Sequence, residues 1–337
     1  MRERSGDGMR LFVCGIIAAA AAMLCFGSCL SFAREAENIQ TGTDAEEEMS
    51  VFSAESRVED VARALLFAPY GRLLFPVQSG YMDGDTLGSL RLTWYSHISP
   101  ARTVAVVNRL AADAAAGHRI FYPIYTEEEM RRDPAKRDTG LFFFRGRTGA
   151  PVAVVSAGGG FAYVGAMQDS FPHALVLSER GVNAFALIYR PRAQTACEDL
   201  SRAVAFLHEH AAELGVDMRG YSLWGGSAGA RMAAWVGSHG TEAFGQRSYP
   251  RPAAVIMQYT DLSEVYGTEP PTYSCVGTAD GIASWQTMQW RTQAIRRNGQ
   301  AAEIEVFKGL PHGFGLGEGT AAEGWLNRAA DFWIAQR

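Results

Sequence analysis

The sequence predicts an α/β fold built on a mostly parallel central sheet with helices over both faces. Short runs rich in β-branched and aromatic residues recur through the chain, at 119–125, 141–144, 152–156, 183–189, 219–224, 253–258, 273–276 and 302–307. From 152 onward these runs alternate with stretches whose apolar residues return at helical spacing, at 171–180, 198–214, 228–237, 282–298 and 319–335. Runs such as Val152-Ala153-Val154-Val155 are continuously apolar, as strands buried on both faces must be. A chain of 337 residues with 47% hydrophobic residues can bury one large core of this kind, and 51–337 reads as a single domain.

The amino terminus stands apart from that body. Arg4 and Arg10 precede an apolar run, 11–30, which has the layout of a secretory signal. Ser31-Phe32-Ala33 offers small residues for a cut before Arg34, and Phe26-Gly27-Ser28-Cys29 resembles a lipobox with Cys29 as lipid acceptor. The run is also close to the length of a membrane-spanning helix, so cleaved signal, lipoprotein signal and uncleaved anchor stay open. Each of the three places the body outside the cytoplasm: periplasmic, attached to the cell envelope or extracellular. Residues 34–50 are polar and acidic and read as a flexible spacer.

An amino-terminal helical extension comes next. Val58, Val61, Ala62, Leu65 and Leu66 mark a helix over 55–67, and 102–116 marks another that stops near Gly117. The Pro- and Gly-broken stretch 67–81 is expected to pack over one end of the domain. Within the sheet region, 126–137 reads as a charged loop. The turn-like 145–149 predicts that 141–144 and 152–156 pair as an antiparallel hairpin.

Composition excludes several classes of function. A net charge of -5 with only short, isolated basic runs argues against a nucleic-acid partner. The chain has no CxxC, no HExxH and no clustered Cys/His spacing, so nothing calls for a metal. Of five cysteines, three lie in the export segment. Cys197 and Cys275 read as two buried thiols or, after export, as a disulfide.

Chemistry is concentrated at the ends of the strand runs. Gly225-Gly226-Ser227-Ala228-Gly229 sits between a β-prone run and a helical run, the setting of a nucleophile elbow. The bland alternative is that Ser227 caps the following helix. The Ala228 amide, first in that helix, is placed to meet negative charge developing at a substrate oxygen. Ala157-Gly158-Gly159-Gly160-Phe161 follows the run 152–156 directly, and three glycines in series suit a loop whose amides must lie bare. Gly159 and Gly160 are the favoured donors, with Gly158 a third candidate. His312, in Leu310-Pro311-His312-Gly313-Phe314, follows the last strand run and is the candidate base. Asp280, just past the run 273–276, is favoured to orient it, with Asp261 and Glu264 as rivals. Phe161, Tyr163, Tyr189 and Phe314 lie near strand ends, either as pocket linings or as ordinary core aromatics.

On these motifs the stretch from Thr139 to the carboxyl terminus resembles the α/β-hydrolase superfamily, in its bacterial esterase/lipase-like branch of acetyl-xylan- and feruloyl-esterase-like carboxylesterases. Ala157 stands where the branch related to hormone-sensitive lipase has a histidine before three glycines. The resemblance implies a serine carboxylic-ester hydrolase with Ser227, His312 and Asp280 as triad, Gly159, Gly160 and Ala228 as oxyanion hole, and no cofactor. Short-chain, small-molecule or polysaccharide-linked esters are the expected substrates, since no long apolar insertion suggests a lid. A peptidase or amidase of the same fold, and a non-catalytic binding protein, are the rival readings.

Overall fold

A computed structural model describes residues 51–337 apart from 79 and 94–96. The signal, lipobox and spacer expectations therefore lie outside the described residues. Eight strands form one sheet: β1 (Phe121–Pro123), β2 (Gly140–Phe144), β3 (Pro151–Ser156), β4 (Asn183–Ile188), β5 (Asp217–Gly226), β6 (Ala254–Gln258), β7 (Thr272–Gly277) and β8 (Ala302–Phe307). Their order across the sheet is β1-β2-β4-β3-β5-β6-β7-β8. Pairing is parallel from β4 through β8 and antiparallel at β1–β2 and β2–β4. The helices in chain order are α1 (Val58–Arg63), α2 (Pro100–Ala115), α3 (Glu127–Arg132), α4 (Ala166–Asp169), α5 (Phe171–Glu179), α6 (Ala193–Leu214), α7 (Ala228–His239), α8 (Trp285–Arg297) and α9 (Trp325–Ile334). Among the described residues no helix is long and apolar enough to cross a membrane.

The continuous apolar strands are buried on both faces, as their composition requires: every residue of β2, β4, β6 and β7 is buried. At β3 the chain changes direction across the sheet, with β4 on one side of it and β5 on the other. The carboxyl ends of β3 and β5 thus meet at a topological switch point, where open α/β sheets leave a crevice.

The expected hairpin of 141–144 with 152–156 does not form. β4 lies between β2 and β3 instead, and two contacts explain the insertion. Phe143 and Phe185 are register partners on β2 and β4, and their rings stack at 4.1 Å. Asn183, the first residue of β4, ties down the β2–β3 connection. Its side chain accepts from Gly146 N at 3.1 Å and donates to the carbonyls of Arg147 and Ala150 at 3.0 and 3.1 Å.

Three further expectations change. The charged loop at 126–137 contains α3, closed by a capping box in which Thr126 Oγ1 accepts from Glu129 N and the Glu129 carboxylate from Thr126 N. None of its residues is buried, so no apolar stripe marked it. The last helix begins at Trp325, because Gly317, Gly319 and Gly324 all take positive φ before it. In the amino-terminal extension α1 ends at Arg63 and the chain continues as a 3-10 turn at Leu65–Phe67. The α2 helix packs against α5, and Arg109 donates to the carbonyl of Arg145 at the end of β2. Leu73, Phe75 and Val77 close a cavity of about 430 Å³ over Tyr189 and Arg190. Cys197 and Cys275 are both free and buried.

Candidate active site

The elbow between β5 and α7 is built by glycines that have no alternative. A Cβ on Gly225 would lie 2.2 Å from the Gly229 carbonyl carbon, and one on Gly229 would lie 2.0 Å from Ser156 O. The helix start therefore presses directly on its own strand and on the end of β3. Ser227, between them, is forced to φ +50° and ψ −115°, a conformation few L-residues tolerate. Its side chain makes no capping bond to α7. The backbone is held by Ser227 N donating to Gln258 O at 2.9 Å, and Oγ lies 3.1 Å from His312 Nε2.

His312 sits in the loop after β8 and is 3% exposed. Its Nδ1 is 2.8 Å from Asp280 Oδ2. The other carboxylate oxygen of Asp280 accepts from the amides of Ile282 and Ala283 at 2.8 and 2.7 Å, so both oxygens are fixed. An ionised carboxylate only accepts, which places the proton on Nδ1 and leaves Nε2 to accept from the serine hydroxyl. Of the rivals, Asp261 lines the Ser227 cavity and its Oδ1 accepts from Ser284 N, and Glu264 contributes its carbonyl to Arg291. Of the other buried histidines, His173 bonds Gln258 Oε1 at 3.0 Å, and burial pushes its pKa down to about 4.

The glycine loop after β3 is pinned at almost every step. Ala157 O accepts from Tyr189 OH at 2.8 Å, Gly158 O from Gly165 N at 3.0 Å, Gly159 O from Ala162 N at 2.9 Å, and Phe161 O from Arg192 N at 2.8 Å. Gly158 N donates to Asp169 Oδ1 at 2.9 Å, which removes Gly158 from the candidate donors. Among the described residues, the amides of Gly159, Gly160 and Ala228 donate to no protein acceptor. Gly160, Ala228 and Ser227 line one cavity of about 310 Å³, together with Phe161, Arg231 and Tyr259. Gly159 adopts φ +129°, and a Cβ there would lie 2.1 Å from Tyr163 O.

The four candidate lining aromatics divide. Phe161 faces the Ser227 cavity. Phe314 packs edge-on against Tyr259 and lines a separate cavity beside Pro311. Tyr163 and Tyr189 are buried, with Tyr163 stacked on Tyr81 and Tyr189 holding the glycine loop from below. The last two are therefore supports.

Three neighbours of the site were not legible as such. Asp169 ends the one-turn α4 with its side chain wholly enclosed; burial pushes its pKa up to about 6, against the Gly158 amide and the Tyr259 hydroxyl, which hold it down. Tyr259 donates to Asp169 Oδ2 at 3.1 Å, and its ring lies 4.7 Å from that of His312. Its hydroxyl is held well above the usual tyrosine pKa by burial and by Asp169. Arg231, one turn along α7 from Ser227, donates to Asp261 O at 2.7 Å and carries its guanidinium over the Trp235 ring. No sequence motif marks these residues, because each lies in an ordinary helical or strand-end context.

A family model, BD-FAE, matches residues 145–271, a span that holds the glycine loop and Ser227 and stops short of Asp280 and His312. No curated protein matches the chain by sequence. Among solved structures, the chain is similar to the acetyl ester-xyloside bifunctional hydrolase of Caldicellulosiruptor lactoaceticus, with 20% identity, a TM-score of 0.57, and coverage of 64% of this chain and 95% of that one. Esterase 2 of Thermogutta terrifontis gives 24% identity and a TM-score of 0.52 over 59% and 90% of the two chains. MGS-M1, an α/β hydrolase enzyme from a Medee basin deep-sea metagenome library, gives 18% and 0.51 over 59% and 92%.

Proposed function

The chain has the α/β-hydrolase fold, and on that premise we propose that it is an exported serine esterase acting on short-chain or sugar-linked esters. One observation carries the reading: Asp280, His312 and Ser227 stand in a hydrogen-bonded row of 2.8 and 3.1 Å, with the serine held in a strained elbow. In the proposed mechanism Ser227 Oγ bonds to the ester carbonyl carbon as its proton passes to His312 Nε2. Asp280 keeps Nδ1 protonated and stabilises the imidazolium. The amides of Gly159, Gly160 and Ala228 receive the oxyanion, each well-placed donor contributing roughly 3–4 kcal/mol. The carbon–oxygen bond to the alcohol breaks, and the alcohol takes the proton from His312. Water then repeats the sequence on the acyl-enzyme, releasing the acid and free Ser227.

The space around Ser227 supports the reading of a small ester. A cavity of about 310 Å³ suits a small acyl or glycosyl group. The related structures point the same way, since one belongs to an acetyl ester-xyloside hydrolase and another holds propionate in Thermogutta terrifontis esterase 2. That esterase has also been captured phosphonylated by cyclosarin and phosphorylated by paraoxon. Export, by cleaved signal, lipid anchor or uncleaved segment, rests on the residue pattern of 1–33.

The test is a fluorophosphonate probe together with p-nitrophenyl esters of increasing chain length, acetylated sugars and aminoacyl amides. The wild type should be labelled at Ser227 and should turn over acetate and propionate esters fastest. Ser227→Ala should abolish both labelling and turnover. Preference for aminoacyl amides would replace the esterase reading by a peptidase one, and an unlabelled, inert protein would remove catalysis from the proposal.

A further inference from the structure

We infer that Asp169 is a positioning residue for the Ser227 centre: its buried carboxylate sets the height of the glycine loop and ties that loop to the wall behind His312. The inference rests on the esterase reading for its catalytic consequence and on geometry alone for its structural one.

The carboxylate is 2% exposed and makes two contacts of different origin. Oδ1 accepts from Gly158 N, in the loop after β3. Oδ2 accepts from Tyr259 OH, in the segment after β6, and the Tyr259 ring packs on His312. Tyr259 itself takes φ +38°, a backbone conformation that fixed partners must sustain. One side chain therefore joins the segment carrying two candidate oxyanion donors to the residue that backs the candidate base.

The elbow is shaped to admit this carboxylate. A Cβ on Gly226, the residue before Ser227, would lie 2.2 Å from Asp169 Oδ2. A Cβ on Gly158 would lie 3.1 Å from the same oxygen and 3.0 Å from Ser227 Cβ. The two glycines on either side thus leave room for Asp169 beneath the loop. With Gly158 N engaged by Asp169, the next two amides have no protein acceptor among the described residues, and Gly160 lines the Ser227 cavity. Without an acceptor there, the Gly158 amide would be buried and unpaired, and the loop would gain by turning to satisfy it.

The experiment compares Asp169→Asn, which still offers an oxygen to Gly158 N, with Asp169→Leu, which fills the same space and offers none. Asp169→Ala serves as a second acceptor-free variant should leucine impair folding. Short-ester kinetics and hydrogen–deuterium exchange over 157–161 are read on full-length protein with matched unfolding transitions. The acceptor-free variant should lose at least tenfold in kcat with KM within about threefold, and its loop amides should exchange at least tenfold faster. The asparagine variant should return most of both. Unchanged kcat and unchanged exchange in the acceptor-free variant overturn the inference, as does equal damage by asparagine and leucine. An inert wild type would sink the esterase reading alone, since loop exchange still decides whether Asp169 holds the loop.

Discussion

The side chains of Asp280 and Asp169 are both enclosed near the same histidine, and the fold treats them in opposite ways. Asp280 lies in the loop after β7, with two backbone amides and His312 arranged around its oxygens. Asp169 ends a one-turn helix after β3, with one amide, one phenol and, among the described residues, no cation in bonding contact. Burial consequently raises the Asp169 pKa to about 6. The difference separates two tasks that a carboxylate can perform. The first lies against His312 Nδ1 and, in the mechanism proposed above, would hold one tautomer and meet the charge that forms on the ring. The second holds backbone in place at a cost to the fold, the pattern expected where stability yields to geometry.

The largest effect should come from Asp280. Asp280→Asn can donate to Nδ1 and favours the wrong tautomer, so kcat on short esters should fall by about 10⁴-fold while fluorophosphonate labelling slows in parallel. A loss of less than tenfold would make Asp280 merely structural and erase the contrast with Asp169.

The glycine loop gives the next effect and can be read at two neighbouring positions. Gly159→Ala would push a Cβ against Tyr163 O, so kcat should drop by about 10²-fold. Stability should fall by roughly 1–3 kcal/mol at the same time. Gly160 takes φ +60° with open space around it, and Gly160→Ala should cost only about 1 kcal/mol. Equal losses in urea melts of the two variants would mean that the loop is less firmly pinned than its hydrogen bonds imply.

The last effect is purely thermodynamic, with no consequence for turnover required, and concerns Asp169 alone. Its folded pKa of about 6 exceeds the ordinary value of 3.8, so between those limits the native state binds more protons than the unfolded chain. Stability from this group is therefore full below about pH 4 and is lost as pH rises to about 6. Asp169→Asn removes the titration. The stability of wild type minus variant should fall by on the order of 2–3 kcal/mol from pH 4 to pH 7. A flat difference would show that Asp169 is not penalised by burial.

Much of this site was legible in the chain because its pieces are local signals. Gly225 to Gly229 specify a turn that only glycine can build, and Gly158 to Gly160 mark a loop after a strand in which Gly159 and Gly160 keep bare amides. His312 and Asp280 follow strands whose parallel order brings their carboxyl ends to one edge. Other elements left weaker traces. No residue of the α3 helix is buried, so its capping box had no buried apolar stripe beside it. The β2–β3 hairpin looked sound because a turn is a local feature, whereas the insertion of β4 depends on Phe185 and Asn183, far along the chain.

The sequence by itself determined the alternation of strand and helix, the buried sheet and the positions where a nucleophile, a base and bare amides could stand. These depend on periodicity, glycine sterics and chain order, all of which are short-range. Tertiary structure alone decided which strand lies beside which, that Gly158 turns inward while Gly159 and Gly160 do not, and that Asp169 is buried. Those outcomes depend on which distant groups exclude water from one another, and a carboxylate's role is set by the partners it finds once water is gone.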